Sequence, residues 1–214
     1  MKISEIFYSI EGEGIEIGRP EIFVRLAGCN LQCNWCDTKY ALEEGKEMDL
    51  TSLKREVSSF PCRSVSITGG EPLLQKQEVL QFVQYLKKAN YWIQLNTNGT
   101  LFDEDVFELV DLVSIDCKCP SSKMSSEDEV LTKTMDLFNS KVQFKFVISN
   151  MKDYEFAIEK ISYILKGAKN IVFQPEWKNR AFAKKLALLI KEQKCNVRMI
   201  LQQHKMIWGN ERGV

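Results

Sequence analysis

Short β-rich runs alternate with longer helical patterns along the whole 214-residue chain. The segments between the apolar runs carry apolar residues near a period of 3.6, as amphipathic helices do. The predicted strands are Ile3–Tyr8, Ile22–Leu26, Ser64–Thr68, Trp92–Asn96, Leu112–Asp116, Val142–Ile148, Asn170–Gln174 and Val197–Leu201. The predicted helices are Thr51–Ser59, Gln75–Ala89, Glu104–Leu109, Glu127–Phe138, Asp153–Leu165 and Arg180–Gln193, with caps expected at Asp49, Asp103, Ser126 and Asp153. A repeated strand-then-helix order is typical of a parallel sheet covered by helices.

The length of the chain limits how far such a sheet can close. A complete eight-unit barrel takes about 250 residues, and this chain has enough for about six short units. We therefore predict an α/β fold, a partial, open TIM-like barrel of about six parallel strands with helices outside, plus an N-terminal strand extension. No linker rich in Gly, Pro or Ser divides the sequence, so residues 1–214 are expected to form a single domain.

Composition excludes several classes of protein. Lys and Arg (29) balance Asp and Glu (29), and 44% of the residues are hydrophobic, so the chain can bury a sizeable core. No apolar stretch approaches the roughly 20 residues of a membrane helix, and the first residues lack a signal-peptide pattern. A general nucleic-acid binder usually carries a basic surplus. These observations predict a cytoplasmic protein with no membrane or nucleic-acid partner.

Three of the seven cysteines lie within eight residues, directly after a predicted strand. Cys29, Cys33 and Cys36 could hold a [4Fe–4S] cluster with three thiolates and leave one iron free for a ligand. A structural zinc site needs a fourth ligand, which would have to come from distant Cys117 or Cys119. A disulfide would leave one thiol over. The cluster is the favoured interpretation, with zinc and incidental thiols as the alternatives.

A second motif, residues 69–72, follows the strand predicted at Ser64–Thr68. Gly69 and Gly70 lack a Cβ, so the backbone there can approach a ligand closely. The same Gly-Gly-Glu-Pro sequence would also make an ordinary tight turn. Because ligands collect at the carboxyl ends of parallel strands, both motifs are expected at one end of the sheet.

The Cys-x3-Cys-x2-Cys spacing, with Trp35 before the last cysteine, resembles the signature of the radical S-adenosylmethionine (SAM) enzymes, and so does Gly-Gly-Glu-Pro. Within that superfamily the chain resembles the 7-carboxy-7-deazaguanine synthase family. The segments that carry this resemblance are residues 7–14, 23–29, 36–38, 96–100, 114–118, 174–175 and 204–210. These segments span nearly the whole chain. The resemblance to this particular family, rather than to the superfamily in general, rests on residues 7–14, on Cys-Asp-Thr at 36–38 and on the tail that contains His204.

The resemblance implies a lyase of queuosine biosynthesis. The family rearranges 6-carboxy-5,6,7,8-tetrahydropterin to 7-carboxy-7-deazaguanine with loss of ammonia. Its cofactors are a [4Fe–4S] cluster, SAM and Mg²⁺. An electron, usually from flavodoxin or ferredoxin, cleaves SAM, and the 5′-deoxyadenosyl radical takes hydrogen from C6 of the pterin. Relatives are homodimers, so a homodimer is expected.

The resemblance also assigns roles to individual residues. The expected cluster ligands are Cys29, Cys33 and Cys36, and the expected Mg²⁺ ligand is Thr38. The expected SAM contacts are Trp35, Gly69, Gly70, Glu71, Asn98, Ser114, Lys118 and Gln174. The expected substrate contacts are Glu11, Gly12, Glu13, Arg25, Thr68, His204 and Val214. The planar fork of Arg25 suits the substrate carboxylate, and no side-chain base is required for the first step.

Two positions depart from the family pattern. Glu11 stands where Gln is common, and Asn96 stands where Glu is common before Thr-Asn-Gly. Both departures bear on the hydrogen bonds that the substrate receives.

Three other functions fit part of the sequence. A small glycyl-radical activating enzyme shares the cysteine and glycine motifs, but it gives no reason for Arg25, Thr38 or the His204 tail. A non-catalytic zinc-binding module would contain zinc without iron or sulfide. A partner-binding protein that has lost turnover has no need for all three cysteines.

Overall fold

The computed structural model describes all 214 residues. The strands are β1 (Lys2–Ile10), β2 (Pro20–Leu26), β3 (Lys46–Glu47), β4 (Ser64–Gly69), β5 (Trp92–Thr97), β6 (Leu112–Cys117), β7 (Val142–Ile148), β8 (Ile171–Pro175) and β9 (Arg198–Met199). The helices are α1 (Leu50–Ser59), α2 (Lys76–Lys88), α3 (Glu104–Leu109), α4 (Asp128–Phe138), α5 (Met151–Tyr163), α6 (Ala181–Glu192) and α7 (Gln203–Trp208).

All nine strands form one sheet in the order β3-β1-β2-β4-β5-β6-β7-β8-β9. From β2 onward every neighbouring pair is parallel, whereas β1 is antiparallel to both β2 and β3. The edge strands β3 and β9 do not pair with each other, so the barrel stays open. This confirms the prediction of a partial barrel with an N-terminal strand extension. The last strand is shorter than predicted, since only two of its residues pair with β8.

Apolar and polar residues alternate along the central strands and give the sheet two different faces. Side chains in a strand point alternately to opposite sides. The apolar series belongs to the main core and consists of Val65, Ile67, Ile93, Leu95, Val113, Ile115, Val142, Phe144 and Phe146. The polar series consists of Ser64, Ser66, Gln94, Asn96, Ser114, Asp116, Gln143 and Lys145. The inner face is therefore polar, in contrast to the apolar layers that fill a closed barrel.

Two of the four predicted helix caps are confirmed. Asp49 and Asp103 accept hydrogen bonds from backbone amides three residues further on, at 2.9 and 3.1 Å. The other two predictions are wrong. Ser126 instead hydrogen-bonds the backbone of neighbouring loops, and α5 is capped by Asn150 rather than by Asp153. Asp153 is fully buried and accepts two backbone amides, so it ties α5 to the loops after β6 and β7.

The helices are short relative to a lipid bilayer. None combines the length and apolar character that crossing a membrane requires.

Candidate active site

A cleft of about 250 Å³ lies at the carboxyl ends of the parallel strands, over the polar face of the sheet. All but two of the residues predicted for the site line it. Those lining it are Glu11, Gly12, Glu13, Arg25, Cys29, Cys33, Trp35, Cys36, Thr38, Thr68, Gly69, Gly70, Asn98, Ser114, Lys118, His204 and Val214. The exceptions are Glu71, which is buried beneath the cleft, and Gln174, which lines a neighbouring cavity. The fold thus brings residues near the start of the sequence together with residues of the tail.

The cysteine loop follows β2 and is held against the segment that follows β6. The backbone N–H of Asn34 donates to the carbonyl of Ser122 at 3.0 Å, and the indole N–H of Trp35 donates to the Ser121 hydroxyl at 3.2 Å. Its three thiols are free and line the cleft. Burial raises the pKa of Cys33, although the nearby Lys118 ammonium opposes the shift. The three donors are thus presented at the end of the sheet where ligands bind.

No fourth thiol completes this set. Cys117 and Cys119 are buried in the apolar core and do not line the cleft. A closed zinc site needs four protein ligands, and neither of these cysteines is placed to supply one. Three thiolates fit a [4Fe–4S] cluster with one iron left for another ligand.

Gly69 and Gly70 allow the end of β4 to pack against the cysteine loop. Gly69 has φ of +135°, and a Cβ on Gly70 would lie 1.8 Å from the carbonyl oxygen of Gly28. The backbone N–H of Gly70 donates to the carbonyl of Leu26 at 3.0 Å. Only glycine tolerates this approach. The turn therefore fixes the glycine motif beside the cysteines, and both glycines also line the cleft.

Glu71 is fully buried, and protein donors occupy its carboxylate. It accepts the backbone N–H of Leu73 at 3.0 Å, the hydroxyl of Thr97 at 2.9 Å and the backbone N–H of Asn98 at 2.7 Å. Burial raises the pKa of Glu71, and these donors counter that rise. The side chain thus joins the loops after β4 and β5, and its expected contact with SAM stays a prediction.

Arg25 reaches the cleft from β2 with part of its guanidinium unpartnered. Its Nε donates to Glu5 Oε1 at 2.7 Å, and its two terminal nitrogens make no hydrogen bond within the protein. The Tyr40 hydroxyl donates to the same oxygen at 2.6 Å. Burial tends to raise the pKa of Glu5, but Tyr40 and Arg25 hold it below its usual value. The free nitrogens can receive a planar anion such as a carboxylate.

Two carboxylates from the segment after β1 behave differently in the cleft. Glu13 forms an ion pair with Lys145 and accepts the Gln202 side-chain amide at 2.7 Å. Burial alone would raise the pKa of Glu13, but the Lys145 charge holds it well below the usual range. Burial, together with the Glu13 charge, raises the pKa of Glu11 to about 7. Glu13 is therefore a fixed anion, whereas Glu11 can gain or lose a proton near neutral pH.

The tail brings His204 to the same segment. The backbone N–H of Gln203 donates to the carbonyl of Gly12 at 2.9 Å. A Cβ on Gly12 would lie 2.2 Å from His204 Nδ1, so the glycine makes room for the imidazole. Further along, the Arg212 guanidinium lies 3.6 Å from the centre of the Tyr40 ring, and Val214 lines the cleft. α7 and the residues after it form one side of the site.

Comparison with known proteins identifies the family. The model of the radical SAM superfamily matches residues 23–166. The 7-carboxy-7-deazaguanine synthase of Koribacter versatilis is 34% identical over 99% of this chain and 98% of its own length. That of Thermoplasma acidophilum is 36% identical over 100% of both chains. The chain belongs to the 7-carboxy-7-deazaguanine synthase family. The synthase of Bacillus subtilis is 33% identical over 99% of the chain and 98% of its own length.

Solved structures agree with the fold. The crystal structure of QueE from Escherichia coli superposes with a TM-score of 0.76, over 95% of this chain and 94% of that one, at 23% identity. Streptococcus suis SuiB bound to S-adenosylmethionine superposes with a TM-score of 0.59, at 13% identity, over 81% of this chain and 48% of SuiB. These structures share the open, mostly parallel sheet of this chain, and the match to the family model identifies it as a radical SAM domain.

In this member of the 7-carboxy-7-deazaguanine synthase family, three segments bring groups together that could bind a cation. The hydroxyl of Thr38 lies 3.8 Å from the Cys36 sulfur. Ligand atoms of Glu13, Asp37 and His204 lie within 4.8 Å of one another, although Lys205 pairs with Asp37 at 2.9 Å. Oxygen donors suit Mg²⁺, and Thr38 as its ligand stays a prediction.

The cleft also contains polar residues that the sequence analysis did not assign to the site: Gln94, Asp116, Gln143 and Lys145. Asn96, noted there as a departure from the family pattern, lines the cleft as well. Each lies on a predicted strand, two residues from another polar position. Because side chains alternate in a strand, the polar series along β4 to β7 could have identified one continuous polar face. Gln174 lies in a cavity that shares Asp116 and Lys145 with the cleft.

Proposed function

We propose that this protein converts 6-carboxy-5,6,7,8-tetrahydropterin to 7-carboxy-7-deazaguanine with release of ammonia, a lyase reaction that leads toward queuosine. The observation that carries the proposal is one cleft lined by three free thiols, a glycine pair and an arginine with unpartnered terminal nitrogens. The relatives named 7-carboxy-7-deazaguanine synthase align over nearly the whole chain, which supports the same reaction here.

Cys29, Cys33 and Cys36 would hold the [4Fe–4S] cluster, and Gly69 and Gly70 would lie beside SAM. When bound, these cofactors supply a 5′-deoxyadenosyl radical that removes hydrogen from C6 of the pterin. Burial tends to lower the pKa of Lys118, but the nearby Asp116 carboxylate raises it, and the net shift of the pKa is upward. Lys118 therefore stays cationic. A buried cation between the thiols and the polar face can attract the carboxylate of a ligand.

Arg25 fixes the substrate by its carboxylate, since its terminal nitrogens match two oxygens in one plane. On the opposite side, the ionised Glu13 accepts hydrogen bonds from N–H groups of the pterin. Glu11 can serve the same edge as an acceptor or, when protonated, as a donor. These residues orient the reacting carbon without taking part in the first hydrogen transfer.

Thr68 and His204 would complete the substrate contacts, and residues of the tail, ending in Val214, would cover the open side. Covering the site matters because a radical reaction must exclude water and other hydrogen donors. His204 packs against Gly12, so the tail and the substrate segment would close on the pterin together.

The finer parts of the proposal concern partners. The Thr38 hydroxyl would be a ligand of Mg²⁺, an ion that prefers oxygen donors. A flavodoxin or ferredoxin would supply the electron, and the enzyme would act as a cytoplasmic homodimer. Residues 1–214 would work as one radical SAM domain, and the one cleft that contains the thiols, the glycine pair and Arg25 would take SAM and substrate side by side.

The test is an anaerobic reaction of reconstituted protein with dithionite, SAM, Mg²⁺ and 6-carboxytetrahydropterin, analysed by mass spectrometry and for ammonia. The proposal expects 7-carboxy-7-deazaguanine and ammonia in equal amounts. Formation of 5′-deoxyadenosine alone would instead favour a glycyl-radical activating enzyme. Purified protein with zinc but no iron or sulfide would favour the zinc-binding module.

A further inference from the structure

A β-bulge places Glu5 opposite Arg25. Ile3 of β1 pairs with Leu26 of β2, and continuous pairing would set Ser4 opposite Arg25. The register shifts between Ile3 and Glu5, so Glu5 takes that position instead. Bulges re-aim side chains next to binding sites. The irregularity thus delivers a carboxylate to the one arginine of β2.

The contact that results uses only part of the guanidinium. Glu5 Oε1 lies 2.7 Å from Arg25 Nε, and the terminal nitrogens are left without a protein partner. Both side chains are 15% exposed, so the pair is shielded from bulk solvent on most sides. A guanidinium held through Nε presents its other two nitrogens in a fixed plane.

Glu5 also connects two other segments to this arginine. The Tyr40 hydroxyl, from the segment after the cysteine loop, donates to Oε1 at 2.6 Å. Arg212 Nε lies 3.4 Å from the other carboxylate oxygen, and the Arg212 guanidinium stacks over the Tyr40 ring at 3.6 Å. One carboxylate therefore joins β1, β2, the segment after the cysteines and the tail that reaches the cleft at Val214.

We propose that Glu5 is a positioning residue that holds Arg25 with its terminal nitrogens aimed at the substrate carboxylate. The proposal deepens the proposed function and rests on it, because it assumes that Arg25 binds that carboxylate. Glu5 could affect ligand binding in two opposite ways. Positioning strengthens the binding of a carboxylated ligand, whereas simple charge competition for Arg25 would weaken it.

The experiment compares equilibrium binding of two ligands to the cluster-loaded, SAM-bound protein under anaerobic conditions. One is 6-carboxytetrahydropterin, and the other is tetrahydropterin, which lacks the carboxylate. Glu5→Ala is expected to raise the Kd of the carboxylated ligand about tenfold and to leave that of tetrahydropterin unchanged. Glu5→Gln keeps one oxygen that can still accept from Arg25 and Tyr40 but removes the negative charge, so a smaller loss of about threefold is expected.

Controls separate positioning from general damage to the fold. Glu43→Ala removes an exposed carboxylate nearby, and it should change neither Kd. Tyr40→Phe leaves the ion pair but removes one donor, so it tests the network even where Glu5→Ala fails to fold. In an Arg25→Ala background, Glu5→Gln should have no further effect on the carboxylated ligand.

Tighter binding of the carboxylated ligand by either Glu5 variant would overturn the proposal. An equal rise in the Kd of both ligands would also overturn it. So would an unchanged Kd of the carboxylated ligand in both Glu5→Gln and Tyr40→Phe. Failure of the proposed function looks different, because the wild-type protein itself would then bind the two ligands equally.

Discussion

The carboxylate of Glu71 accepts the backbone N–H of Asn98 at 2.7 Å and thereby joins the carboxyl ends of β4 and β5. The other carboxylate oxygen accepts hydrogen bonds from the Thr97 hydroxyl and the backbone N–H of Leu73. The buried Glu71 side chain therefore holds the glycine turn and the Asn98 loop together. Asn98 in turn donates to Asn30 in the cysteine loop at 2.9 Å. Three segments of the site are thus linked through a side chain that does not line it.

Glu71→Gln is expected to loosen this anchor. An amide cannot accept from all three donors, and a buried backbone N–H left without a partner costs about 2 kcal/mol. We expect a loss of that size in the free energy of unfolding by urea, together with weaker SAM binding. Glu78→Gln, at an exposed position of α2, is the matched control. Wild-type stability in Glu71→Gln would show that the loops do not depend on this carboxylate.

Glu21 should make stability depend on pH. It is fully buried, and burial and the Glu11 charge raise the pKa of Glu21 to about 8. The folded state therefore holds a proton that the unfolded state loses above its ordinary pKa, so stability falls as pH rises from about 4.5 to 8. Glu21→Gln mimics the protonated form. It should stabilise the protein by about 4 kcal/mol at pH 8 and by less than about 1 kcal/mol at pH 5.

Urea unfolding at several pH values between these limits checks this prediction. The groups that face Glu21 are the Ser64 hydroxyl at 3.2 Å, Arg19 Nε at 3.8 Å, and the charges of Glu11 and Glu16. A pH-independent difference between Glu21→Gln and the wild type would mean that Glu21 is ionised in the fold throughout.

Lys145→Met should leave Glu13 as a buried charge without its partner. Breaking such a pair costs about 3 kcal/mol or more at neutral pH. The loss should shrink as pH falls, because Glu13 can then take up a proton. Unfolding measurements at pH 7 and pH 5 test this, with Lys184→Met on the exposed face of α6 as control. Adding Glu13→Gln to Lys145→Met should recover stability, and a further loss would contradict the pairing.

Arg25→Ala should separate substrate binding from SAM cleavage. Loss of a charge-assisted pair to the substrate carboxylate is worth about 3 kcal/mol, or roughly a hundredfold in Kd. Reductive formation of 5′-deoxyadenosine should continue, because Arg25 is not expected to touch the cluster or SAM. The exposed Arg55→Ala variant is the control. Unchanged affinity for 6-carboxytetrahydropterin would remove Arg25 from the site.

Local sequence patterns predicted the sheet well because each central strand is bounded by turns and carries a clear alternation. The gathering of the cysteines, the glycine pair and Arg25 also followed, since all of them lie at the carboxyl ends of parallel strands. What local patterns could not predict depends on pairing between distant segments. The bulge before Glu5 is one case, because its register is set by β2.

Lys145 and Asp153 show the same limit. Lys145 looks like a solvated residue in its strand, yet Glu13, 132 residues away, makes it part of the site. Asp is a residue type that often caps helices, but here Asn150 forms the cap. Asp153 instead accepts hydrogen bonds from backbone amides of two loops. In each case a distant partner decides the role of a polar residue that local propensity places elsewhere.

The proposed reaction is tested most directly by the yield of 7-carboxy-7-deazaguanine from reconstituted wild-type protein, measured by mass spectrometry beside Cys33→Ala and Cys62→Ala. Cys33 lines the cleft and Cys62 does not. We expect several turnovers for the wild type and Cys62→Ala, with about four irons per chain, and no product from Cys33→Ala. If wild-type protein carries its irons and forms 5′-deoxyadenosine but yields no 7-carboxy-7-deazaguanine, the proposed reaction is wrong.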